Sequence, residues 1–180
     1  VIILDASELL TDQDKKIINK VITANKPFMI FINKWDLSPQ TEEYLKTITK
    51  ELAQRLPIIN HIPILTGSAI NKLNINKIFQ KIPEIIDIAN LRITTSQLNQ
   101  FIQTIIKKNP PSARTGEHIK IYYGTQVATL PPHFVFFVNK PKLISHTYKR
   151  FVENRIRDYI NKFEGTPIKI SFRHHREEDR

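Results

Sequence analysis

Cysteine is absent from the 180 residues, which excludes disulfides, thiolate metal sites and cysteine nucleophiles. Glycine is scarce, with four residues at positions 67, 116, 124 and 165. The first third of the chain therefore holds no glycine-rich loop of the kind whose backbone cradles phosphate. Long apolar runs are missing too. Stretches such as Phe28–Ile32 and Phe134–Val138 reach five residues, whereas a helix crossing a membrane needs roughly 20. No charged-then-apolar stretch opens the chain, so the expectation is a cytoplasmic protein without a membrane partner. Residue 1 is Val and already lies inside the apolar run Val1-Ile2-Ile3-Leu4. The segment reads as the downstream piece of a longer protein.

What is present is globular: 41% of residues are hydrophobic and 24% charged. The length suits one medium and one small domain. The net charge of +10 is unevenly placed. Residues 1–89 carry 11 basic against 10 acidic side chains, and residues 90–180 carry 16 against 7. A domain boundary is expected near Ala89–Arg92. A basic domain beside a neutral one suggests an anionic partner for the second half. Nucleic acid is the first candidate, and a solubilising surface is the other reading.

The first half alternates short apolar runs with helical periodicity. Val1–Leu4, Phe28–Ile32 and Ile62–Leu65 read as buried strands. Thr11 with Asp14 offers a capping box ahead of Ile17, Ile18, Val21 and Ile22. Further helices are expected over 41–55 and 74–86. Strands that are apolar throughout, each followed by a helix, imply an α/β fold with a parallel sheet covered on both faces. In the second half, Thr95-Ser96 is expected to cap a helix ending before Pro110-Pro111. Strands are expected over 118–123, 134–138 and 168–172, with a long amphipathic helix over 145–163. The order α-β-β-α-β implies a small α+β domain over 90–173, followed by a frayed tail over 174–180. On the first of these strands, Ile119, Ile121 and Tyr123 are placed on one face and Lys120 and Tyr122 on the other.

The most specific short motif is Asn33-Lys34-Trp35-Asp36, directly after the second strand. Loops beyond the carboxyl ends of parallel strands line the ligand crevice of such sheets. A carboxylate there can accept both N1–H and the exocyclic amine of guanine. Adenine has no matching donor pair, so Asp36 would select the base. The Lys34 stem can lie along the purine plane, and Asn33 can tie the loop to its neighbours. A solvated strand-to-helix loop is the plainer alternative. Thr66-Gly67-Ser68-Ala69 follows the third strand and is ordinary loop composition when taken alone.

Together these two loops resemble the base-binding pair of the translation-factor-related GTPases, in which the Ser-Ala loop presents a backbone N–H to guanine O6. Asp5 matches the acid that closes the corresponding strand there. The second half narrows the likeness. Lys120-Ile121-Tyr122-Tyr123, Thr125-Gln126-Val127, Pro131-Pro132, Phe134–Asn139, Tyr148–Phe151, Asn154, Arg157 and Phe163–Ile168 resemble the C-terminal KH-like domain of the Der (EngA) family of bacterial GTPases. That resemblance covers essentially the whole chain. It implies that residues 1–89 are the back half of a P-loop GTPase domain and residues 90–173 a KH-like domain. It further implies binding of GTP or GDP, with Asn33, Lys34, Asp36, Ser68 and Ala69 around guanine. The implied role is large-subunit ribosome assembly, with the 50S subunit or rRNA as partner. The intact family protein is a GTP hydrolase that uses Mg²⁺. The P-loop and switch motifs would lie upstream of Val1, with those G-domain residues as a further partner, so these 180 residues are expected to be catalytically inactive.

The likeness has departures. The loop after Ala69, Ile70-Asn71-Lys72-Leu73-Asn74, lacks the glycines usual there, and the KH-like segment has no Gly-x-x-Gly. Lys120, Tyr122, Arg150, Arg157, Lys169 and Arg173 are candidate RNA contacts, with a solvated face as the other reading. Arg150 and Arg157 have a docking role against the G domain as a further alternative. The six His show no metal-ligand spacing, and no catalytic residue is assigned.

Overall fold

A computed structural model describes residues 1–8, 10–112, 116–160 and 163–175, the side chains of 55, 57 and 58 excepted. It divides into two compact units. The first comprises Val1–Ala89 and Glu164–Pro167, and the second Asn90–Phe163 and Ile168–Arg180.

The first unit is α/β. Strands β1 (Ile2–Asp5), β2 (Ile30–Asn33) and β3 (Ile64–Thr66) alternate with helices α1 (Asp12–Thr23), α2 (Glu42–Arg55) and α3 (Ile75–Ala89). The sheet is parallel in the order β1-β2-β3, with Asp5 opposite Asn33 and Ile32 opposite Thr66. The capping box forms as the sequence predicts, with the Thr11 hydroxyl accepting from Asp14 N–H at 3.2 Å and Asp14 accepting from Thr11 N–H at 2.9 Å. Two otherwise orphaned amides are satisfied in this way. Ile18 of α1 and Ile48 and Leu52 of α2 form one core with Ile2, Leu4, Ile30 and Ile32. The central strand is buried on both faces, as a parallel strand should be. β1 differs from the expected continuous burial: Ile2 and Leu4 are buried, but Ile3 is 63% exposed. It is an edge strand among the described residues, so its second face has less to pack against.

The segment Glu164–Pro167 completes this unit. Gly165 O accepts from Phe28 N–H at 2.8 Å and Gly165 N–H donates to His61 O at 2.7 Å. Lys81 pairs with Glu164 at 2.8 Å. Gly165 has φ +68, and a Cβ there would sit 3.0–3.2 Å from three Ile85 carbons.

The second unit is α+β in the expected order: α4 (Thr95–Phe101), β4 (Ile121–Ala128), β5 (His133–Val138), α5 (His146–Ile160) and β6 (Lys169–His174). β4 and β5 are antiparallel, β5 and β6 parallel, in the order β4-β5-β6. The cap of α4 is Thr94 rather than Thr95. Gln97, three residues on, returns a bond to the Thr94 amide, whereas Leu98 could return none to Thr95. The helix then widens into a π turn over Ile102–Ile106. Phe101 and Phe172 each pack a ring on Phe136, and Leu98, Ile102, Val152 and Ile156 fill the same core. Buried Gln126 is fully engaged: it accepts from Ile93 N–H at 2.7 Å and donates to the carbonyls of Leu91 and Ala128.

Three expectations need correction. Ile121 and Tyr123 do not share a face, because a register shift between them sets Ile121 opposite Val138 and Tyr123 opposite Phe137. Arg157 is not on the polar side of α5. It is 5% exposed and donates to Phe163 O at 3.0 Å, with Glu153 3.4 Å away. His174 ends β6 and His175 N–H donates to Val138 O, so neither belongs to a frayed tail; residues 176–180 lie outside the described residues.

Replacing Gly165 tests the completion of the first unit. Gly165→Ala is expected to destabilise it by about 1–2 kcal/mol from backbone strain alone, with the Ile85 contact adding to this. Trp35, the single tryptophan and buried in this unit, reports the transition in denaturant. Gly116→Ala in the second unit, with φ +73 but open space around it, is the strain-only comparison, followed by far-UV circular dichroism in the same denaturant series.

Candidate functional site

β2 and β3 deliver two loops to the same end of the parallel sheet. Asn33 closes β2, and Lys34 then turns the chain in the left-handed region at φ 58 into the 3-10 turn Trp35–Leu37. Trp35 anchors that turn: the residue is 6% exposed, its ring centroid is 5.6 Å from that of Tyr44, and its backbone N–H donates to Gly67 O at 2.9 Å. Gly67 N–H returns a bond to Ile32 O at 3.0 Å. The loops approach so closely at Gly67 that a Cβ would lie 2.3 Å from Leu73 O and 2.7 Å from the Phe31 ring. Only glycine fits there.

Asn33 Oδ1 accepts from Ala69 N–H at 3.0 Å, which binds the first loop to the second. Ser68 is 1% exposed and pairs with Leu73 in both directions, and its hydroxyl accepts from Asn71 N–H. Asn74 Nδ2 donates to Thr66 O at 2.9 Å. Without glycine, this loop still takes the left-handed region twice, at Lys72 with φ 56 and Asn74 with φ 60.

Lys34 is exposed, and its ammonium lies 2.6 Å from Asp5 Oδ2 at the end of β1. Asp5 also accepts from the Ser7 amide at 2.9 Å and the Ser7 hydroxyl at 2.6 Å. The Lys34 ammonium and then the Ser7 donors hold the Asp5 carboxyl down at about 2, and Asp5 raises Lys34 in return. Asp36 is half-buried, and its carboxylate meets no hydrogen-bonding or ionic partner among the described residues. The arrangement therefore offers an unengaged acceptor pair beside two loops locked to each other. Among the described residues no group of three or more His, Asp or Glu converges as metal ligands. No helix among them is long and apolar enough to cross a membrane.

The structure brings Asn33 and Ala69 together and places Lys34, Asp36 and Ser68 on the same two loops. The Lys34–Asp5 pair was not drawn from the sequence, although Asp5 at a strand end opposite Asn33 was its available signal. Of the second group, Lys120, Arg150, Lys169 and Arg173 are exposed, Tyr122 is 39% exposed and Arg157 is buried. Lys120 Nζ lies 5.2 Å from the Tyr122 ring centroid, and His175, which sequence reasoning left in the tail, lies 4.6 Å from the same ring.

Residues 92–173 match the family model described as the KH-domain-like C-terminal domain of EngA bacterial GTPase enzymes. Residues 1–88 match the elongation factor Tu GTP-binding domain. Curated relatives include GTPase Der of Moorella thermoacetica, 37% identical over 176 residues, which is 98% of this chain and 40% of the relative. GTPase Der of Chloroherpeton thalassium is 38% identical over 173 residues, covering 96% of this chain and 40% of the relative. GTPase Der of Geobacillus thermodenitrificans is 38% identical over 169 residues, covering 94% and 38%. The chain thus spans about two fifths of the length of these relatives.

Removing the Lys34 ammonium should return the Asp5 carboxyl toward 3.8. A carboxyl held below its unfolded value stabilises the fold above that value, and the contribution is lost as pH falls toward the folded value. In carbon-detected titration the Asp5 signal is expected to stay ionised from pH 5 to about 3, and in Lys34→Ala to begin moving near pH 4. Identical titrations would show that the pair does not form in solution.

Proposed function

The chain belongs to the GTPase Der family, and on that premise we propose that Asn33–Asp36 and Ser68-Ala69 bind the guanine of GTP or GDP, in a cytoplasmic protein that serves large-subunit ribosome assembly. The observation that carries the reading is the Asn33–Ala69 bond at 3.0 Å beside the unengaged Asp36 carboxylate. Asp36 accepts N1–H and the exocyclic amine, Lys34 covers the ring plane, and Ser68 and Ala69 close the far side. In this structure the Ala69 N–H is already given to Asn33, so guanine O6 shares that donor or displaces the amide oxygen. Adenine would leave the carboxylate desolvated and unpaired, which is the source of selectivity.

Hydrolysis of GTP requires positioned charge around the phosphates: a loop lysine, Mg²⁺ and residues that orient water. Residues 1–180 contain no glycine-rich phosphate loop, so they are expected to bind guanine weakly and not to turn GTP over. RNA is the proposed partner of residues 90–180. The described acids there, Glu117, Glu153, Asp158 and Glu164, pair with Lys140, Arg157, Arg155 and Lys81. Lys120, Lys149, Lys169 and Arg173 meet no carboxylate among the described residues.

Titration of the ¹⁵N-labelled chain with GDP and with ADP at millimolar concentration tests the guanine reading. Amide shifts at Asn33–Asp36 and Ser68-Ala69 are expected with GDP and not with ADP. Asp36→Ala should lower the apparent affinity for GDP by about tenfold or more. Equal responses to both nucleotides, or none to either, would overturn the reading. Phosphate release from GTP by the purified chain at a rate that Asp36→Ala abolishes would contradict the expected inactivity.

A further inference from the structure

Strand β6 carries Lys169, Ser171, Arg173 and, one step past its end, His175 at alternate positions, so all four face the same side of the sheet. Pairing sets His133 beside Lys169 and Phe137 beside Arg173. His133 Nε2 and Ser171 Oγ are 2.8 Å apart. From α5, Lys149 lines, with Ser145, His146, Ile170, Ser171 and Phe172, a groove of about 360 Å³ beside β6, which is an edge strand among the described residues. Burial and the positive charges of Lys169, Arg173 and Lys149 lower the His133 pKa, and none of these three cations meets a carboxylate among the described residues.

The far end of the stripe is aromatic. The His175 ring lies 4.6 Å from Tyr122 and meets Tyr123 edge-on at 5.6 Å. Lys120 Nζ stands over the Tyr122 ring, 5.2 Å from its centroid. Its backbone is fixed by Asn139, which accepts from Lys120 N–H at 2.9 Å and donates to His118 O at 3.1 Å. From Lys169 to Arg173 is about 13 Å along the strand, with the ring pair another two residues on.

We propose that β6 is the track for a single strand of RNA, with backbone phosphates on Lys149, Lys169 and Arg173 and an unstacked base on the Tyr122–His175 ring pair beneath Lys120. This rests on the reading of RNA as the partner of residues 90–180, and not on the guanine loops. Cations that meet no acid among the described residues, arranged along an edge and ending on an exposed ring, fit the two chemistries of a single strand: phosphates every few ångströms and bases whose faces are available for stacking. A duplex would offer phosphates but no open base face.

The test uses the full chain and a fluorescein-labelled single-stranded RNA of about 12 nucleotides, with affinity measured across a salt series. The intact chain should bind more tightly at low salt and prefer the single strand to its duplex. The Lys169→Gln, Arg173→Gln double variant should flatten the slope of log affinity against log salt by about 1.4. Tyr122→Ala should lose about 5- to 150-fold in affinity, and Tyr122→Phe should retain it. Lys107→Gln with Lys108→Gln, a charge-matched pair away from the stripe, should leave affinity near that of the intact chain. Unchanged melting curves would show that the variants fold. If the intact chain binds no RNA at low salt, the RNA reading itself fails. If it binds but the stripe variants match it, or the Lys107 and Lys108 pair costs as much, RNA remains the partner and the β6 track is wrong.

Discussion

One hydrogen bond organises the first unit's functional end: Asn33 Oδ1 accepting from Ala69 N–H. It joins loops that leave two different strands, and it does so 36 residues apart in sequence. The reciprocal backbone bonds Trp35 N–H to Gly67 O and Gly67 N–H to Ile32 O lie just beneath it. All three depend on close approach at Gly67, where even one methyl group would collide with Leu73 O and Phe31. With the loops fixed to each other, the Asp36 carboxylate can remain without a local partner at modest cost because it is only half-buried. Such an acceptor is poised for a ligand with two adjacent donors.

Much of the fold was legible because hydrophobic period and length reinforce each other. Ile30, Phe31 and Ile32 are apolar without alternation, and they form a strand buried on both faces. The Thr11–Asp14 box was readable from two residues. Where the reading slipped, the cause lay beyond local periodicity. Alternation through 118–123 assumed a regular strand, but a register shift after Ile121 moves Tyr123 to the other face. Arg157 has a charged identity that suggests solvent, yet its guanidinium finds Phe163 O and Glu153, so burial is tolerated. Nothing within a window of ten residues indicates that Glu164–Pro167 belongs with the first unit, because the pairing of Gly165 with Phe28 and His61 spans more than 100 residues.

The candidate site was legible to the extent that its chemistry is carried by residue type at strand ends. Asn33 followed by Lys34 and Asp36 stood out on those grounds; Asn33 closes β2, and Lys34 and Asp36 lie in the turn that follows it. Its electrostatic support was less visible. Asp5 neutralises Lys34 from a neighbouring strand, a contact set by parallel register rather than by sequence proximity. In the second unit, single basic residues said little, since any one of them suits a solvated surface. Their meaning came from pairing: β6 brings Lys169 and Arg173 to one side, and the described acids are already taken by other cations.

The two units thus carry separate proposed recognition chemistries: a carboxylate suited to a base edge in one, and cations that meet no described acid, suited to an anionic backbone, in the other. The first of these is the central claim, and a structure of the chain with GDP tests it most directly. It should show N1 and the exocyclic amine of guanine each within about 2.7–3.2 Å of an Asp36 carboxylate oxygen, with O6 facing the Ala69 amide. A base bound elsewhere, or Asp36 turned toward solvent with guanine in place, would contradict it.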